Sequence, residues 1–189
     1  MRGALFYLFV MTFIFSSCEK DDAREPILVE EEFSPDLFFS EYIEGTSFNK
    51  ALEIVNLTGR DIDLGAEGYS IKKQSNAAGD WTGELLLTGT LLRDNVYVIG
   101  NEAAVLPEIL ENAHLLRAGA PMDFNGNDPI GLFKEGILID VIGEVDNDLD
   151  FGKDMTLRRR DDVTGPTSTY LPDEWDIYEV DTVDGLGYY

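Results

Sequence analysis

Phe38–Leu64 reads FFSEYIEGTSFNKALEIVNLTGRDIDL. A short apolar segment carries the polar pair Glu41 and Tyr42. A loop around Gly45 follows, and then an alternating strand that ends at Asn56. Between Ala51 and Asn56, Leu52 and Ile54 share one face, and Ala51, Glu53 and Val55 share the other. That period of two is the mark of a strand with a distinct inner face, so a β-sandwich edge is written here.

The same period runs on toward the C-terminus. Tyr69 and Ile71 alternate with Ser70 and Lys72, and Asn95–Ile99 is aromatic and β-branched. Ile130–Phe133 and Ile137–Ile142 are separated by Lys134-Glu135-Gly136, a hairpin connection with glycine where a positive φ is expected. Glycines fall mainly between such runs, as turn residues do. One stretch departs: Glu102–Leu116 carries Val105, Leu106, Ile109, Leu110 and Ala113 at helical spacing. Pro107 predicts a short helix beginning near it, since the first helical turn has no use for its missing N–H. The expected class is all-β: a sandwich with one short helical insertion packed across an open end.

Several pieces taken together resemble the lamin tail domain family. Glu41 and Tyr42 fit its first-strand pair, Glu53, Ile54 and Asn56 its E-[ILV]-x-N element, and Asp63 and Leu64 the D-L that follows. Gly68 and Tyr69 fit a G-[WY] turn. Phe124, Asn125, Gly126, Asp128 and Leu132 fit a later f-N-G-x-D-x-[IV]-x-L passage, with Pro129 and Gly131 as substitutions. Asp140 and Gly143, Leu157 and Arg158, and Trp175 complete the pattern, which covers residues 37–189. The resemblance implies an immunoglobulin-like sandwich of a bacterial surface-lipoprotein branch. Each matching residue also has a structural role open to it. Glu41 and Glu53 would be partly buried, with Arg158 or Lys50 as partner, because a buried carboxylate needs such pairing. Asn56 and Asn125 would bond backbone at turns. Tyr69 and Trp175 would be core aromatics.

The first segment reads as an address. Residues 1–17 form a lipoprotein signal peptide: Arg2, an apolar run from Ala4 to Phe15 too short to span a bilayer, then Ser16 and Ser17. Cys18 follows as the lone cysteine of the chain, so no disulfide can form within it, and lipid attachment is the expected use of its thiol. Lys20, Asp21 and Asp22 resemble the surface-export signal of some Gram-negative lineages. Residues 18–36, rich in acids and holding Pro26 and Pro35, read as a lipidated flexible tether. The expected location is the outer membrane, facing outward, with the membrane a partner through the Cys18 lipid.

Net charge is −23 at a pI near 4.1, which disfavours phosphate backbones, so no direct nucleic-acid binding is expected. His114 is the lone histidine, zinc clusters are missing, and no phosphate-binding glycine loop is present. The one cofactor suggested is Ca²⁺. Asp146, Asp148, Asp150 and Asp154 alternate in DNDLDFGKD and would place hard oxygens on one side of a loop; a turn cluster with no ion is the competing reading. Asp123, Asn125, Asn127 and Asp128 form a similar oxygen-rich turn. The expected function is a non-enzymatic binding or structural module for a protein or glycan partner. An accessory component of an exported nuclease or phosphatase system is the alternative. A stand-alone hydrolase would require a cleft with converging acids.

Cys18→Ala is expected to abolish lipidation and release the protein from membranes, read by labelled palmitate and fractionation. Label remaining on the variant would refute the anchor.

Overall fold

The structure, a computed structural model, describes residues 32–189. The signal segment, Cys18, Lys20, Asp21 and Asp22 lie outside the described residues. Twelve strands make the described part mostly β. A six-stranded sheet has the order β12-β11-β1-β2-β7-β8, formed by Trp175–Glu179, Met155–Arg159, Phe38–Glu44, Lys50–Asn56, Asn95–Asn101 and Leu115–Arg117. A four-stranded sheet has the order β10-β9-β4-β5, formed by Ile137–Ile142, Ile130–Lys134, Tyr69–Lys73 and Thr82–Leu86. A two-stranded piece joins β3 (Ile62–Asp63) to β6 (Thr90–Leu91).

The two large sheets pack in a sandwich-like arrangement. Phe39, Tyr42, Leu52, Ile54, Tyr97, Ile99, Leu157 and Trp175 point inward from the first, and Tyr69, Ile71, Leu85, Ile130, Leu132 and Ile142 from the second. The alternation expected for Leu52 and Ile54 holds. The hairpin between β9 and β10 holds too: Glu135 and Gly136 have φ of 49° and 79°, the two positive values that a two-residue type I′ turn needs.

The outer face of the six-stranded sheet is not left to water. Phe38, Ile43, Ala51, Val55, Val96 and Val98 form a second apolar cluster there with Ile109 and Leu186. Every residue of β1 and β2 is therefore buried. The helix supplies part of that cover. It is shorter than the apolar spacing suggested, α1 (Pro107–Asn112), with Pro107 in its first turn as expected. It does not close an open end of the sandwich. It is the crossover between parallel β7 and β8, and it lays Ile109 on the outer face. Parallel neighbours cannot be joined by a tight turn, so the chain must cross over the sheet there.

The folded part also begins before Leu37, where the tether was expected to end. Ser34 is buried and its N–H donates to the Leu57 carbonyl at 2.9 Å. Asp36 accepts from the Tyr69 hydroxyl and, at 2.9 Å, from Lys134 Nζ. Two acids and a proline made this stretch look solvated, but Ser34 is tied to Leu57 and Asp36 to Tyr69 on β4 and Lys134 on β9.

Trp175 is buried beside Arg159, whose guanidinium lies 4.8 Å from its ring. Trp175→Ala is expected to destabilise by about 3–5 kcal/mol in denaturant unfolding. A loss under about 1 kcal/mol would mean that the ring packs no core.

Candidate functional site

The outer face of the six-stranded sheet carries a row of polar side chains. Glu53 on β2 stands opposite Glu41 on β1, Glu41 opposite Arg158 on β11, and Arg158 opposite Asp176 on β12. The register shifts between Phe39 and Glu41, so Ser40 is an extra residue on β1. Such a bulge turns neighbouring side chains toward the same place. Here Ser40 Oγ donates to Glu53 Oε1 at 2.8 Å. Arg158 Nε donates to Glu41 Oε1 at 3.1 Å, and its Nη2 bonds Asp184.

The C-terminal segment lies over this row. The Gly187 N–H donates to Glu53 Oε2 at 2.6 Å. Gly185 sits against the Arg158 guanidinium so closely that an added Cβ would fall 2.3 Å from Nε. Tyr189 meets Phe38 edge-on at 5.9 Å and donates from its hydroxyl to the Arg160 carbonyl at 3.2 Å. Between this strap and β11 remains a cleft of about 590 Å³, floored by Ser40, Glu41, Glu53 and Arg158 and rimmed by Asp176 and Tyr188.

Burial pushes the Glu41 carboxyl up to about 7, against the pull of Arg158. Burial also pushes Glu53 up to about 7, against its bonds from Gly187 and Ser40. The arrangement holds a proton near neutrality. Both carboxyls are engaged, however, and what they do in the fold is fasten the C-terminal strap to the sheet.

A second buried network lies at the other border of β1. Asp140 on β10 accepts from the Phe39 N–H at 2.8 Å and from the Thr167 N–H at 2.9 Å. Arg159 Nη2 lies 3.5 Å from Asp140 Oδ1 and 2.8 Å from Glu174 Oε2. Arg159 and Asp140 both have side chains with 0% exposure. Burial raises Asp140 to about 6, with Arg159 pulling it down. Sequence reading missed Arg159 and Ser40. The signal for Asp140 was present: a single acid in the apolar run ILIDVI has to find a buried partner.

The family-pattern residues take structural posts. Tyr42 stacks on Phe124 at 4.7 Å. Asn56 donates to the carbonyls of Arg60 and Leu91 at 2.8 and 3.1 Å and accepts from the Thr58 N–H at 3.0 Å. Gly126, at φ +90°, accepts from Phe151 and Gly152 N–H, and a Cβ there would strike the Lys153 backbone at 2.3 Å. Asn125 is exposed. Lys50, the other partner expected for Glu41 or Glu53, bonds Glu44 instead.

The aspartates singled out for Ca²⁺ do not converge; among the described residues no group of three or more His, Cys, Asp or Glu is placed to hold a metal ion. Asp146 accepts from Gln74 Nε2 at 2.6 Å, Asp150 lies 3.6 Å from Lys153 Nζ, Asp148 is exposed, and Asp154 uses its backbone N–H on Glu44. The second oxygen-rich turn already surrounds a cation. Lys73 Nζ lies 2.8 Å from Asp123 and 3.1 Å from Asp128. Burial alone would lower Lys73, but those two acids raise it. His114 lies beyond the helix, where its Nδ1 accepts from the Val98 N–H at 3.1 Å and its ring stacks on Tyr97. No family model matches the chain, and no curated protein matches it.

The raised carboxyls set a pH dependence. Glu53 moves from 4.5 to about 7, so between those values the folded state holds a proton that the unfolded chain has released. Its stabilising share is complete below 4.5 and is lost as pH rises through 7, with a ceiling of about 3 kcal/mol. Glu53→Gln keeps an oxygen for Gly187 and leaves the Ser40 hydroxyl free to turn. It is expected to raise the melting temperature at pH 8, by about 1–3 kcal/mol of stability, with little change at pH 4.5. Equal effects at both pH values would contradict a raised Glu53.

Proposed function

We propose that this chain is a non-enzymatic module, tethered by lipid at Cys18 to the outer membrane and facing outward. It presents an immunoglobulin-like sandwich of the lamin tail type to a protein or polymer partner. What supports the reading is where chemistry-bearing and apolar side chains go. His114, Glu41, Glu53, Asp140 and Lys73 each hold a strand, strap or loop in place. Apolar groups stand in water instead, among them Leu149 and Ile177, each 70% exposed and lining one groove. Scattered exposed apolar residues are ordinary, but a cluster of them marks a contact surface. The attachment in this reading is the lipid on Cys18; among the described residues no helix is long and apolar enough to cross a membrane.

The cleft over Glu41 and Glu53 is the feature a hydrolase reading would use. Two carboxyls near 7 beside an arginine suit acid–base work. In that reading purified protein turns over a chromogenic glycoside or phosphodiester, and Glu41→Gln removes the turnover. The module reading predicts no turnover above buffer for either form. It also predicts defined cross-linked adducts on intact cells, unchanged by Glu53→Gln and dependent on Cys18. Turnover lost with Glu41→Gln would overturn it.

A further inference from the structure

Strand β12 is an open edge of the six-stranded sheet, with β11 on one side and no strand on the other among the described residues. Its backbone polarity can be assigned. The Arg160 N–H donates to the Glu174 carbonyl at 2.9 Å, and these residues continue the Arg159–Trp175 register. Hydrogen-bonded and non-bonded pairs alternate along an antiparallel ladder. The pairs Arg158–Asp176 and Thr156–Tyr178 therefore bond to each other. Ile177, between them, turns its N–H and C=O away from β11, into the open edge. Folded proteins usually blunt such an edge with a bulge, a proline or an inward charge. Trp175–Glu179 has none at Ile177.

Beside that edge lies an apolar groove of about 270 Å³ on the inner side of the sheet, lined by Leu149, Phe151, Tyr170, Pro172, Trp175 and Ile177. It sits just under the roughly 300–1,000 Å³ typical of small-molecule pockets, so it suits individual side chains of a segment. Ile177 stands opposite core Leu157 yet is mostly exposed. Its surroundings are acidic. Glu144 and Asp150 line the groove, Asp176 and Glu179 lie on the strand, and Asp173 stands just before it. The nearby cations are engaged: Arg158 with Glu41 and Asp184, Arg160 with Asp162, and Lys153 with Asp150.

We infer that β12 is a docking edge for an extended segment of a basic partner protein, which adds as a strand beside Ile177. Its alternate apolar side chains enter the groove, and its intervening Lys or Arg side chains face Asp176. Backbone bonds supply the geometry and the groove and acids supply the choice of sequence, which is the usual division in strand addition. A second copy of this chain suits the edge poorly, because β12 holds two acids and no base and the chain carries −23. The inference rests on the module reading and names the class of partner it takes.

The test uses the exported Cys18→Ala chain and synthetic octapeptides. The first is an alternating Lys–Val octapeptide, the second is the same peptide with every other amide N-methylated, and the third alternates Glu and Val. Calorimetry is expected to show binding of the first. Affinity should fall at least tenfold for the second, which cannot bond the edge, and be lost for the third. Ile177→Lys should weaken the first peptide at least tenfold, and Asp176→Asn with Glu179→Gln several-fold, with unchanged melting curves. Equal binding of the methylated peptide would mean attraction by the acidic surface alone and would overturn the edge. A wild-type dimer in sedimentation that Ile177→Lys dissociates would assign the edge to a second copy and overturn the basic partner. No binding of any peptide, with Cys18-dependent adducts still seen on cells, would overturn the edge and leave the module reading standing.

Discussion

The Asp140 carboxylate accepts the Phe39 N–H with one oxygen and the Thr167 N–H with the other, and Arg159 lies against it. Phe39 belongs to the six-stranded sheet and Asp140 to the four-stranded sheet, so a side chain takes the place of a ladder bond between them. β1 bulges after Phe39, and β10 shifts register between Leu138 and Asp140. Both irregularities meet at this contact, and β-bulges re-aim groups in this way. A charge so deep is tolerated because both oxygens have donors and a cation is adjacent. Removing any one partner would leave the others buried and unsatisfied.

From that contact the polar interior divides into two parts. Arg159 lies near both Trp175 of the inner core and Phe38 of the outer cluster, its guanidinium 4.8 and 5.8 Å from their rings. Its Nε and Nη1 donate to nothing among the described residues, and the ring faces meet the charge instead. On the outer side, the bulge places Ser40 and Glu41 beside Glu53, and the C-terminal strap caps them. Both faces of β1 and β2 are thus covered, which leaves the far edge at β12 and Ile177 as a place where apolar surface still meets water.

Much of the sandwich was legible because its signals are local. The period-two faces of β2 and β4 and the Glu135-Gly136 turn depend on residues a few positions apart. The helix was half legible: Pro107 marked its start, but the apolar residues around it were divided among irregular connections, the helix and β8. Only the demand for a crossover decides that, and it arises from the parallel β7–β8 pair. The aspartates of 146–154 misled for a similar reason. Alternation suggests a shared face only in a regular strand, and Asp146 and Asp154 are at positive φ in a loop that turns their groups apart. Lys73 could not be seen as the internal cation of Asp123 and Asp128 without the fold, since about fifty residues separate them. Asn56 was readable in advance because two of its three partners, Thr58 and Arg60, lie in the next turn.

The claim that a carboxylate couples the two sheets is tested most directly by native-state hydrogen exchange on Asp140→Asn. The amide has one acceptor oxygen where the carboxylate had two, so Phe39 or Thr167 must lose its partner. Such coupling makes exchange at one of those two amides at least tenfold faster in the variant and costs it about 1–3 kcal/mol of global stability. Unchanged protection at both amides, with stability within about 0.5 kcal/mol of the parent, would contradict it.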